Sequence, residues 1–134
     1  MADSGNTPSA MLEALDRAHD MRLETRKRDG SWVATPVNPL VVGDRVLFRT
    51  WETSGKAKRL RNFREVRIAP STVRGRPTGP AAEGRAVVLG GDASRDAARR
   101  INRRYPVLQG VLVRLFHRLT GRHTQHYEIT GLHS

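Results

Sequence analysis

Apolar positions change period several times along the chain, and each change marks an element. Met11, Leu12, Leu15 and Ala18 follow Thr7 and Pro8, an N-cap and first-turn pair, at the spacing of a short amphipathic helix. From Asp20 to Lys27 apolar and charged residues mix, Asp29-Gly30 reads as a hairpin turn, and Ser31 to Val42 is rich in β formers. Two antiparallel strands are predicted there. Gly43-Asp44 supplies a second tight turn, and Arg45 to Thr50 forms the next strand. Between Ser54 and Phe63 the period turns helical, with Ala57, Leu60 and Phe63 on one side and Lys56, Lys58, Arg59 and Arg61 elsewhere.

In the second half, Val66, Ile68 and Pro70 alternate with Arg67 and Ala69 as a strand, and STVRGRPTGP carries the residues of a loop. A long strand is predicted from about Ala81 to Leu89. Asp92 is the expected cap of a helix that lines up Ala93, Ala97, Ile101 and Tyr105. Leu108, Val111, Leu112, Leu115, Phe116 and Leu119 give a second helical stripe, expected to pack against the sheet, and His123 to Thr130 reads as the last strand. Strands outnumber helices and the early connections are antiparallel. The fold class is therefore mainly β (α+β), a barrel with appended helices rather than a doubly wound sheet. Residues 1–7 are small and polar and read as a flexible tail, leaving 8–134 as a single domain.

Composition narrows this picture. The chain has 134 residues, 37% of them apolar and only seven aromatic, a modest core for one copy, so burial shared in a homodimer is expected. There is no cysteine, which excludes disulfides, thiolate metal sites and a cysteine nucleophile. MADSGNTPSA lacks the basic and apolar regions of a secretory signal, so a cytoplasmic location is expected. The longest uncharged stretch, Gly30–Gly43, is 14 residues with Pro36 and Pro39 inside it, so no membrane insertion is expected. Lys and Arg number 24 against 13 acids, for a net charge of +11, and 21 of the cations are arginine. That balance favours an anionic partner without selecting one.

The informative stretch for chemistry is strand, turn, helix: LFRT, WET, then SGKAKRLRN. A strand ends at Arg49 and Thr50, and Ser54-Gly55-Lys56 opens a helix whose first N–H groups are unpaired and point outward together. Gly55 permits close approach, while Arg49 and Lys56 add positive charge, so the junction reads as a phosphate cradle. The same residues also read as a capped helix with a solvated basic face. The spacing is neither a Walker loop nor GxGxxG. GxSxG, HExxH and paired-carboxylate signatures are absent. His123 and His126, three apart on a strand, face opposite ways and predict no metal site. Tyr127 and His117 are able to donate protons but read better as packing or solvated groups, so no catalytic side chain is assigned.

Taken in order, RKRDGSWVATPV, DRVLFRTWETSGKAKRLRN, VRIAPSTVRGRPTGPAAEGRAVVL and PVLQGVLVRLFHRLTGRHTQHYEIT resemble the pyridoxamine 5'-phosphate oxidase-like (PPOX-class) flavin-binding split barrels, specifically their F420-dependent oxidoreductase branch. The likeness runs over roughly residues 20 to 130. It implies a six- to seven-stranded antiparallel split β-barrel with flanking helices. It also implies a cofactor site in which Ala34, Thr35, Pro36 and Val37 run beside a tricyclic ring while Arg49, Thr50, Ser54, Gly55 and Lys56 hold a phosphate. The implied cofactor is coenzyme F420 (8-hydroxy-5-deazaflavin), with FMN as the alternative. The deazaflavin is the more anionic of the two, which suits the arginine excess, and Arg74 and Arg76 in VRGRP are candidates to reach its tail. Where many relatives have an aromatic after Pro-Val, this chain has Asn38 and Pro39.

The resulting expectation is an F420H2-dependent reductase acting on an electron-poor small organic substrate. Hydride transfer from a cofactor needs no protein nucleophile, which agrees with the missing motifs. Two other readings compete: an FMN-binding oxidoreductase or non-catalytic flavin or haem carrier, and a basic nucleic-acid-binding domain. Dispersed cations, few aromatics and no recognition motif speak against nucleic acid.

Overall fold

In the computed structural model, which describes residues 2–105 and 124–134, the predicted alternation is realised first in β1 (Asp20–Arg26). Met21, Leu23 and Thr25 are completely buried, while Asp20, Arg22, Glu24 and Arg26 remain partly exposed. The following turn is set by Asp29, whose carboxylate accepts from the Ser31 backbone N–H (2.9 Å) and hydroxyl (2.6 Å), and by Gly30 at φ 92. It leads into β2 (Trp32–Val37), which pairs antiparallel with β1 from Arg26↔Trp32 to Met21↔Val37.

The β-rich run Ser31–Val42 divides at Asn38-Pro39 into β2 and a three-residue β3 (Leu40–Val42). Pro39 has no N–H to carry a ladder onward, and β3 turns at Gly43 (φ 64) to pair with β4 (Arg45–Trp51) instead. After α2 (Gly55–Asn62) come β5 (Glu65–Ser71), β6 (Ala82–Val88), α3 (Gly91–Arg104) and β7 (Thr124–His133). Among the described residues the sheet has seven strands, all antiparallel, in the order β2-β1-β5-β6-β7-β4-β3. It curls until β2 comes against β4, giving the expected half-barrel.

The concave face holds the main core, including Leu23, Val46, Phe48, Val66, Ile68 and Ile129, with Phe48 stacked on Tyr127 at 5.0 Å between ring centroids. Helix α1 (Ala2–Arg17) sends Met11 and Leu15 into it and starts at Ala2, ahead of the predicted Thr7-Pro8 start. A second core lies on the other face, where Leu47 meets Ala97, Ile101 and Tyr105 of the α3 region. The Tyr105 hydroxyl donates to the Pro39 carbonyl at 2.5 Å, tying that helix end to the β2–β3 link. The cap of α3 is Gly90, without a side-chain bond, and not Asp92, which sits in the first turn paired with Arg95. The predicted helix Leu108–Leu119, with His117, and the start of the last strand at His123 lie outside the described residues. No helix among the described residues is long and apolar enough to cross a membrane.

Candidate functional site

The strand–turn–helix junction folds as a capped helix at the end of β4. Ser54 has extended dihedrals (φ −68, ψ 158) and its hydroxyl accepts the Ala57 N–H at 3.1 Å, while Thr50 Oγ1 donates to Ser54 Oγ at 3.1 Å. Ala57 and Leu60 are buried and anchor α2 against the barrel. Beside its first turn opens a cavity of about 290 Å³ whose walls include Pro36, Val37, Arg49, Thr50 and Lys56. These are predicted site residues from three separate segments, and the fold brings them together. Asn38, Trp51 and Thr124 complete the wall and were not predicted.

Besides Lys56, the charge at this helix start comes from Arg59, which helical spacing places off the apolar side of α2. Arg59 lies one turn beyond Gly55, and its guanidinium folds back over the helix start: Nη1 is 2.8 Å from where a Cβ on Gly55 would sit. The arginine is fixed there because its Nε donates to Thr25 Oγ1 at 2.6 Å, and Thr25 is completely buried in β1. Gly55 thus serves as space for a guanidinium. Burial lowers the pKa of the Lys56 ammonium from its ordinary value, and the neighbouring Arg59 charge lowers it further. Among the described residues, no carboxylate pairs with Lys56 or Arg59. Two cations and a helix N-terminus without an acid make a place where an anion is stabilised.

Arg49 is held from the opposite side. Its Nη1 donates to Asn102 Oδ1 of α3 at 2.6 Å, and it lies directly across the ladder from His126 of β7. His126 is buried, with Nδ1 3.2 Å from Ser94 Oγ. Burial first, and the Arg49 charge second, keep its imidazole below the usual pKa, so the neutral ring is favoured.

Strand β2 forms the remaining wall. Among the described residues it is an edge strand bonded only to β1, which leaves one row of its backbone groups unused by the sheet. Ala34 is exposed on the side of Pro36, whereas Thr35 shares the face of Val37, which lines the cavity. The buried Thr35 Oγ1 has no hydrogen-bond partner among the described residues. An orphaned hydroxyl, an open strand edge and a cationic helix start fit a flat ring that carries a phosphate. Arg74 and Arg76 are exposed on the β5–β6 loop and lie outside this cavity wall. Their loop is pinned by Arg22, whose Nη1 donates to the Gly75 carbonyl at 3.1 Å. Among the described residues no group of three His, Asp or Glu is placed to hold a metal ion.

Seven antiparallel strands curled into a half-barrel with flanking helices define a split barrel of the PPOX-like type. No protein-family model matches the sequence, and no curated protein matches it. Solved structures do. A candidate pyridoxamine 5'-phosphate oxidase from Listeria innocua superposes with a TM-score of 0.62 at 12% identity, over 92% of this chain and 91% of that one. A candidate 5-nitroimidazole antibiotic resistance protein from Bacteroides thetaiotaomicron gives 0.63 at 15%, covering 96% and 80%. The haem storage protein HutZ from Vibrio cholerae gives 0.62 at 12%, covering 90% and 88%. At such identities the likeness establishes the fold alone.

Proposed function

We propose that this protein is a reductase that takes the reduced deazaflavin coenzyme F420 and delivers its hydride to an electron-poor small organic substrate. The observation that carries the reading is the pairing of Lys56 and Arg59 at the start of α2, without a carboxylate among the described residues, beside a cavity walled by β2 and β4. Lys56, Arg59, Arg49 and the Thr50–Ser54 hydroxyl pair are suited to hold the phosphate. The unused backbone groups of the β2 edge and the Thr35 hydroxyl, unpartnered among the described residues, are suited to a ring. When bound, the coenzyme supplies the hydride chemistry. The chain's own groups bind, orient and keep water out, so no nucleophile is required. FMN presents the same phosphate, and the net charge of +11 favours the more anionic deazaflavin. Likeness to a candidate nitroimidazole resistance protein supports an electron-poor substrate. The protein is proposed to act as a homodimer, with the second copy supplying part of the pocket wall.

Titrating reduced F420 and FMN separately while following their fluorescence tests this reading. Saturable binding of the deazaflavin, weakened in Lys56→Ala, is expected, together with turnover of activated alkenes, quinones or nitro compounds. Failure of both cofactors to bind refutes it. Likeness to HutZ supports a second reading, a carrier. Retention of a flavin or haem chromophore through purification without any turnover would favour that reading.

A further inference from the structure

The other end of α2 borders a second cavity, of about 370 Å³, floored by Leu60, Ala86, Val88 and the ring of Tyr127. Its size is in the range of small-molecule sites, roughly 300–1,000 Å³. Val87 and Val88 are 42% and 50% exposed, two of the three large apolar side chains left exposed among the described residues, and both line this cavity. The apolar floor is ringed by donors. Arg61 and Arg64 line it, and among the described residues neither pairs with a carboxylate. Arg61 makes one long bond, Nη1 to the Glu52 carbonyl at 3.4 Å, and its charge reaches Tyr127.

Gln125 settles the polarity of the wall. Its Oε1 accepts the Tyr127 hydroxyl proton at 2.9 Å, which turns the amide oxygen toward the tyrosine and its NH2 group, a donor, away from it. Two guanidinium groups and an amide NH2 over an apolar floor call for a ligand with an apolar body and an anionic acceptor group. We infer that this cavity binds a small apolar carboxylate, such as an aryl or short alkyl acid, with Arg61, Arg64 and Gln125 on the carboxylate and Val88 and Tyr127 against its body. The inference does not rest on the coenzyme reading. It concerns the far end of α2, and the two cavities neighbour each other at β7, where Thr124 lines the first and Gln125 the second.

Isothermal titration calorimetry with 2-naphthoate and its neutral analogue 2-naphthamide tests it on the full chain. Naphthoate is expected to bind, naphthamide to bind at least about tenfold more weakly, and Arg61→Ala/Arg64→Ala to lose about tenfold or more for naphthoate alone. Val88→Asp, at an exposed position, is expected to abolish binding while the thermal unfolding profile is retained. Inorganic phosphate and Lys56→Ala are expected to leave naphthoate affinity unchanged. The proposal is overturned if naphthoate fails to bind, if the double arginine variant binds it as wild type does, or if phosphate competes and Lys56→Ala removes the binding. That last result would assign the probe to the first cavity.

Discussion

Replacing Lys56 with alanine should move stability and ligand affinity in opposite directions. At neutral pH the ammonium is charged in both states, yet in the folded chain it is partly desolvated, sits near the Arg59 guanidinium and has no acid among the described residues to offset this. A group whose folded pKa is lowered costs stability while it is charged, and the cost disappears only as pH rises toward its ordinary value. Removing it from a half-exposed position should therefore leave the ligand-free protein unchanged or stabilise it by up to about 1 kcal/mol, given solvent screening. A charge-assisted hydrogen bond to a phosphate oxygen contributes about 1.5–3 kcal/mol. Its loss corresponds to roughly 10- to 150-fold weaker binding. Urea unfolding of the ligand-free protein gives the first quantity, and fluorescence titration with reduced F420 or FMN gives the second. If Lys56→Ala destabilises the ligand-free fold by more than about 1 kcal/mol, the lysine is structural and the cradle argument fails. Unchanged cofactor affinity would refute it equally.

Three further outcomes follow from the same geometry. Thr25→Val keeps the shape of the buried site but removes the acceptor that holds Arg59, so cofactor affinity should fall several-fold at a stability cost of about 1 kcal/mol, measured by titration and urea unfolding. Because the pKa of buried His126 is lowered in the folded state, the unfolded chain binds more protons, and stability is lost as pH falls through about 6.5 and below. Melting temperatures across this range should drop more steeply for wild type than for His126→Gln, and parallel curves would contradict the assignment. Phe48→Ala removes a completely buried ring stacked on Tyr127 and should cost about 3–5 kcal/mol in chemical denaturation, and a loss below about 1 kcal/mol would contradict the packing described.

What was legible in the sequence was local. Alternation gave β1, because Met21, Leu23 and Thr25 alternate with charged residues and only one face meets the core. Ser54 and the basic run after it gave α2, since capping acts over three residues. Pro36, Val37, Arg49, Thr50 and Lys56 were named as one site through resemblance combined with that local chemistry, and they line one cavity. Sheet order was not legible, because β1 pairs with β5 and β4 with β7 across long separations that no short-range period encodes. The split of Ser31–Val42 turned on where a proline falls in a ladder. Arg59 was not among the cradle residues because its role depends on Thr25, a residue on a different strand. Asn102 and Ser94, which brace Arg49 and His126, were invisible for the same reason.

The two margins of the sheet are its least sociable parts. One is β3, only three residues long, and the other is β2, where Pro36 interrupts the row of amide donors that an incoming strand would need. Lengthening the sheet by adding a neighbour is thereby discouraged at both ends, which protects the chain from fibrous association. Contact with another protein chain is steered to the broad surfaces of the half-barrel, where side chains and not amide groups decide who binds.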